Sequence, residues 1–182
     1  MVVCYDFEQL DVTSSADRTA YERAFFEAFR REPGNRLVRD LWIWDEGQRR
    51  VRTRVPYEDQ RIYVLRRADR SVAMGFAVNV AMRTFQSAAH GFPVPNDLQG
   101  CCEFLAFFGD DDYSLERTRH FFRRSCADLR SRGFFTGYGT AAPRWLAYYC
   151  RIGFATIADT RTIDEETYDL LKFNIAKAGG RP

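Results

Sequence analysis

The sequence predicts one α/β domain built around a mixed, mostly antiparallel sheet. Strand-like and helical segments follow one another in the order β, α, loop, β, β, β, α, β, α, β, β. No repeat, linker or change of composition interrupts that order, and 182 residues suffice to close one core. The domain is expected over residues 1–176, with 177–182 as a flexible tail.

The elements can be justified in turn. "VVCYDFEQL" is rich in strand formers. "SSADRTAYERAFFEAFRRE" reads as a helix capped by Ser14 or Ser15, with Tyr21, Ala24, Phe25, Ala28 and Phe29 as its apolar stripe. Pro33-Gly34-Asn35 is its stop. "LVRDLWIWDEGQRRVRTRVPYEDQ" shows no clear period and reads as a short helix and a mobile loop, the kind of segment that carries substrate contacts.

"RIYVL" and "VAMGFAVNVAM", joined by "RADRS", form a hairpin. "QSAAHGFPVPNDLQG" is a connector, and "CCEFLAFF" a short apolar strand ended by the acidic turn "GDDDYS". Ser114 caps the next helix, whose face is Leu115, Thr118, Phe121, Phe122, Cys126 and Leu129, and Gly133 ends it. "FFTGYGT" is a strand, "APRWLAYYCRIG" a short helix, and "FATIADTRTI" and "TYDLLKFNI" the final strands.

Composition narrows the function classes. With 46% hydrophobic and 29% charged residues, the chain has a globular balance rather than a disordered one. No run approaches the roughly 18 apolar residues of a membrane span. The first residues, with Asp6 and Glu8, lack the basic-then-apolar order of a signal peptide. Five cysteines without CxxC spacing suggest a reduced, cytoplasmic protein. All basic residues except Lys172 and Lys177 are arginines, a bias that suits anion recognition. A net charge of +2 without a basic tract argues against nucleic acid, and two histidines with scattered acids give no metal-ligand spacing.

Two residues invite a chemical reading. Glu103 stands alone in the apolar strand "CCEFLAFF", where desolvation would make its carboxylate basic enough to take a proton. Tyr149, beside Tyr148 on the short helix, offers a phenol that stays protonated at neutral pH and can donate to a leaving group. A thiol nucleophile at Cys101 or Cys102 would need a cation nearby, and only His90 and His120 are histidines.

The element order over nearly the whole chain, with "YYCRIGF" after the fifth strand, resembles the GNAT superfamily of N-acyltransferases. Tyr149, Gly153 and Phe154 match that family's tyrosine followed four residues later by Gly-Phe. The resemblance implies an acyl thioester donor, attack by a small-molecule amine deprotonated by Glu103, and protonation of the departing thiolate by Tyr149. It implies a donor site along Phe104, Leu105, Ala106, Phe107 and Phe108, whose backbone N–H groups would polarise the thioester carbonyl. It extends that site to the next helix start, through Ser114, Leu115, Arg117 and Arg119. For the acceptor it suggests Trp44, Glu58 or Asp59 against a cationic group, Arg61 against a carboxylate, and His90 as a possible base.

"DDDYSLERTRH" departs from the family, because the glycine loop that cradles the coenzyme A pyrophosphate has no counterpart there. Asp110, Asp111 and Asp112 put negative charge in its place. That departure resembles the branch of acyl-homoserine lactone (autoinducer) synthases and N-acyl amino acid synthases. "YEDQRIYVL", the long connector and Glu103 match this branch loosely. Its members imply an acyl carrier protein donor, with Arg117, Arg123, Arg124 and Arg130 as docking charges. They also imply S-adenosylmethionine as a substrate. Two further possibilities stay open: a homodimer, and a fold kept as a binding module without catalysis.

Overall fold

The computed structural model describes residues 5–30, 36–110 and 114–178. It has the expected class: an α/β fold with a mixed, mostly antiparallel central sheet flanked by helices. Nine strands and five α-helices are present among the described residues: β1 (Tyr5–Gln9), α1 (Ser15–Phe29), α2 (Arg36–Leu41), β2 (Trp42–Asp45), β3 (Arg50–Thr53), β4 (Gln60–Arg67), β5 (Val72–Asn79), β6 (Cys101–Gly109), α3 (Leu115–Ser131), β7 (Thr136–Ala141), α4 (Leu146–Gly153), β8 (Ala155–Ile163), β9 (Glu166–Asn174) and α5 (Ile175–Ala178). Seven strands form one sheet in the order β1-β4-β5-β6-β7-β9-β8, and β2-β3 form a separate hairpin. The β6–β7 pair is parallel, while β1–β4, β4–β5, β7–β9 and β8–β9 are antiparallel.

Contacts divide the chain into two compact units, 1–79 with 105–113 and 80–104 with 114–182. In the first, Ser14 Oγ accepts from Asp17 N and starts α1. The helix buries Tyr21, Glu22, Phe25 and Phe26, so Ala24, Ala28 and Phe29 of the expected stripe are only half-buried. Phe25 stacks on Phe108 at 5.1 Å and meets Trp42 edge-on at 4.4 Å. The segment expected to hold a short helix and a mobile loop has the helix, α2, but carries the β2–β3 hairpin in place of the loop. Trp42, Val51 and Thr53 point inward, and Arg52 and Arg54 outward. Glu22, 3% exposed, accepts from Tyr57 Oη at 2.5 Å and from Arg50 Nε at 2.5 Å, which satisfies a charge that burial would otherwise destabilise. Pro33-Gly34-Asn35 lies outside the described residues.

In the second unit, α3 starts at Ser114, whose Oγ accepts from Arg117 N at 3.1 Å. It ends where Gly133 takes φ +89°, a conformation that suits glycine. Thr118, Phe121, Phe122, Cys126 and Leu129 are buried as expected, joined by Ser125, while Leu115 is half-buried. Asp164 and Glu165 both have positive φ, which closes the β8–β9 hairpin as a tight two-residue turn. Lys177 and Ala178, assigned to a tail, belong to α5, and Ala178 is 1% exposed. Residues 179–182 lie outside the described residues.

Candidate active site

The β6–β7 ladder is only three pairs long: Cys101 with Thr136, Cys102 with Gly137, Glu103 with Tyr138. β7 then continues with β9 as far as Ala141. The parallel pair therefore stops at Glu103, at the carboxyl-end side where parallel strands commonly leave room for a ligand.

Alternation along β6 sends its side chains to two faces. Cys102 and Phe104 lie on the α3 face, where the Phe104 ring is 4.8 Å from Phe173 and 5.9 Å from Phe122. Room for that ring comes from β7. A Cβ on Gly137 would lie 2.3 Å from Phe104 Cζ, and one on Gly139 would lie 3.1 Å from Phe104 Cβ. Glu103 lies on the opposite face with Tyr138, whose ring meets Phe85 edge-on at 6.3 Å.

Glu103 is 1% exposed, and both of its oxygens accept hydrogen bonds. Its Oε2 accepts from Gln86 N at 2.8 Å, and its Oε1 accepts from Ser87 N at 2.8 Å and Ser87 Oγ at 2.7 Å. The carboxylate thus caps the 3-10 turn Gln86–His90, and these donors supply what burial removes. His90 closes the same turn, half-buried, before Gly91 at φ +78°. The carboxylate is buried, as expected in this strand, and is also hydrogen-bonded, so that it orders the connector. Ser87 was not legible as its partner, because the other two donors are backbone N–H groups.

Tyr149 sits on α4, half-buried, with its ring edge-on to Phe173 at 5.7 Å and to Tyr148 at 5.4 Å. Phe173 belongs to the Phe104–Phe122 cluster, so Tyr149 lies on the α3 face and Glu103 on the other. The Gly-Phe that follows has a packing cause. A Cβ on Gly153 would come within 2.8 Å of both Phe122 Cε1 and Phe173 Cδ1, and Phe154 ends the helix at φ 51°.

At the start of α3 the glycine-free turn is self-sufficient. The Arg117 amide, one of those a phosphate would use, is already taken by Ser114 Oγ. Arg119 is half-buried, and its Nε is shut from water with no hydrogen-bond partner among the described residues. Arg123, Arg124 and Arg130 are exposed on α3. Asp110 pairs with Arg67; Asp111 and Asp112 lie outside the described residues.

The other predicted residues fall in the first unit. Leu105, Ala106 and Phe108 are buried and Phe107 half-buried, and Leu105 O accepts from Trp42 Nε1 at 3.2 Å. Trp44 lies under the Arg39 guanidinium, 3.9 Å from the ring centroid, and donates to Val38 O. Glu58 is exposed and Asp59 is 3% exposed in the 3-10 turn Tyr57–Asp59. Arg61 donates to Gln9 Oε1.

Burial pushes the Cys102 thiol well up and the Cys101 thiol up, the latter aided by Asp97. Neither is poised as a thiolate nucleophile. The Tyr138 phenol is also raised, first by burial and then by Cys101 and Asp97, so it stays protonated on the Glu103 face. No His, Cys, Asp and Glu group suited to a metal occurs among the described residues.

Solved structures with the same arrangement are numerous. TofI, in a ternary complex with an inhibitor and MTA, matches with TM-score 0.72 at 13% identity, covering 94% of this chain and 91% of that one. The fold is GNAT-like. The CoA-dependent acyl-homoserine lactone synthase BjaI, with SAM and isopentyl-CoA, shares the GNAT fold with TM-score 0.68 and 12% identity over 98% of this chain and 86% of its own. The ribosomal-protein-S18-alanine N-acetyltransferase from Escherichia coli shares it with TM-score 0.57 and 14% identity, over 98% and 99%. No protein-family model and no curated protein matches the sequence, so the likeness is one of GNAT fold.

Proposed function

We propose that the protein is an N-acyltransferase that moves an acyl group from a thioester to a small-molecule amine by direct attack. One observation carries this reading: Glu103 and Tyr149 occupy opposite faces of the sheet beside the point where the β6–β7 ladder ends. An acceptor on the Glu103 face and a donor thioester on the Tyr149 face would meet at that end. Transfer then needs no covalent enzyme intermediate, in keeping with the raised thiols of Cys101 and Cys102.

In this reading Oε1 of Glu103 holds Ser87. Oε2, which accepts from Gln86 N, is the oxygen that takes the amine's proton. Backbone N–H groups of β6 polarise the carbonyl, and the Tyr149 phenol protonates the leaving thiolate. The closed cap at Ser114 favours a donor without a diphosphate, a phosphopantetheine thioester on a carrier protein, with Arg119 as a cation for its single phosphate. S-adenosylmethionine is the second acceptor reading, favoured because BjaI was solved with SAM.

Thermal unfolding with acetyl-CoA, with S-adenosylmethionine and with neither tests these readings. A ligand at about 100 times its Kd stabilises by about 2.7 kcal/mol. A shift with acetyl-CoA overturns the carrier preference, and a shift with S-adenosylmethionine alone establishes the second acceptor reading. Transfer from an acyl carrier protein to an amine, followed by mass spectrometry, is the expected positive result. Its absence with every donor overturns the enzyme reading.

A further inference from the structure

We propose that two copies of this chain join through their β8 edges, antiparallel about a two-fold axis at Thr160. β8 ends the sheet order, so one side of its backbone has no strand partner among the described residues. It is nine residues long, most of its side chains are exposed, and it contains no proline or lysine to blunt the edge. Among the described residues the opposite edge strand, β1, spans Tyr5–Gln9, and its Glu8 is tied to Arg66 and Arg70.

The charges of β8 select the register. Asp159 and Arg161, two residues apart, project on the same side and pair at 2.7 Å. Between them Thr160 lies on the other side, its hydroxyl donating to Asp169 at 2.7 Å. With Thr160 on the axis, Asp159 of each copy faces Arg161 of the other. The four charges then alternate in sign around a square, each acid with one base along the strand and one across it. Centring the pair on Asp159 or on Arg161 instead sets like charges face to face, which is destabilising. A register shift between Ile157 and Asp159 interrupts regular pairing there, so the contact is short and the dimer weak.

Sedimentation velocity of the full chain, from about 1 µM to about 300 µM, tests this. The wild type is expected to pass from monomer to dimer across that range. Asp159→Arg and Arg161→Asp, each alone, put two like-charge pairs across the axis and should weaken the dimer at least tenfold. The variant carrying both exchanges restores opposite charges and should dimerise again. Both side chains lie on a free edge, and circular dichroism checks that each variant stays folded. A wild type that remains monomeric overturns the proposal. So do single reversals that dimerise like the wild type, or a double exchange that fails to restore association.

Discussion

Replacing Glu103 by Gln changes one oxygen to an amide nitrogen and removes the charge, with nearly the same volume. If the amide oxygen keeps the Oε1 position, it still accepts from Ser87 N and Ser87 Oγ. The amide nitrogen then faces Gln86 N, donor against donor, where Oε2 had accepted at 2.8 Å. A buried N–H left without an acceptor costs about 1–3 kcal/mol. The two surviving bonds lose their charge assistance, roughly 1 kcal/mol between them. The sum is about 2–4 kcal/mol, or about 4–16 °C in Tm for a chain of this size. Ser87→Ala removes one donor and keeps the carboxylate on two backbone groups, so about 1 kcal/mol is expected. Thermal unfolding at pH 7 by circular dichroism reads both. A Glu103→Gln midpoint within about 1 °C of wild type would refute the reasoning, since no clamp of three donors could be broken so cheaply.

Three other outcomes are expected. Tyr149→Phe should lower the rate of acyl transfer by about 100-fold or more while leaving Tm within about 2 °C, because the half-buried ring keeps its edge contacts and only the proton donor goes. Gly153→Ala should cost about 1–2 kcal/mol in denaturant unfolding. Its Cβ meets two aromatic rings at 2.8 Å, an overpacking penalty that exceeds the gain in helix propensity. The Glu8 carboxyl is held below its ordinary value, first by the Arg70 hydrogen bond and then by Arg66. Its stabilisation is therefore present above about pH 4.5 and lost as pH falls through the lowered value; Glu8→Gln should flatten that part of the stability–pH curve.

Much of the fold was legible because its signals are local. α3 combines an N-cap serine, a 3.6-residue apolar face and a C-terminal glycine, and all three behave as read. The β4–β5 hairpin declares itself by two apolar runs around a polar turn. The β2–β3 hairpin was missed because Ile43 is an exposed apolar residue on β2, while the arginines flanking Val51 make β3 look like solvated loop. At the candidate site, Glu103 and Tyr149 were visible as unusual residues in their segments. Their placement on opposite faces was not, because it depends on strand register and on which helix covers Phe173. Nor could the sequence reveal the clamp, since a backbone amide is the same in every residue but proline.

Under the proposed function, the placement of Glu103 and Tyr149 on two faces of one sheet has a kinetic consequence. If acceptor and donor approach from opposite sides, neither blocks the other's entry or exit, and productive turnover requires both to be present together. Initial-rate plots should then intersect rather than run parallel, and each product should compete only with the substrate of its own side. Such an enzyme could exchange one acceptor for another by altering a single face, leaving the machinery of the leaving thiolate untouched.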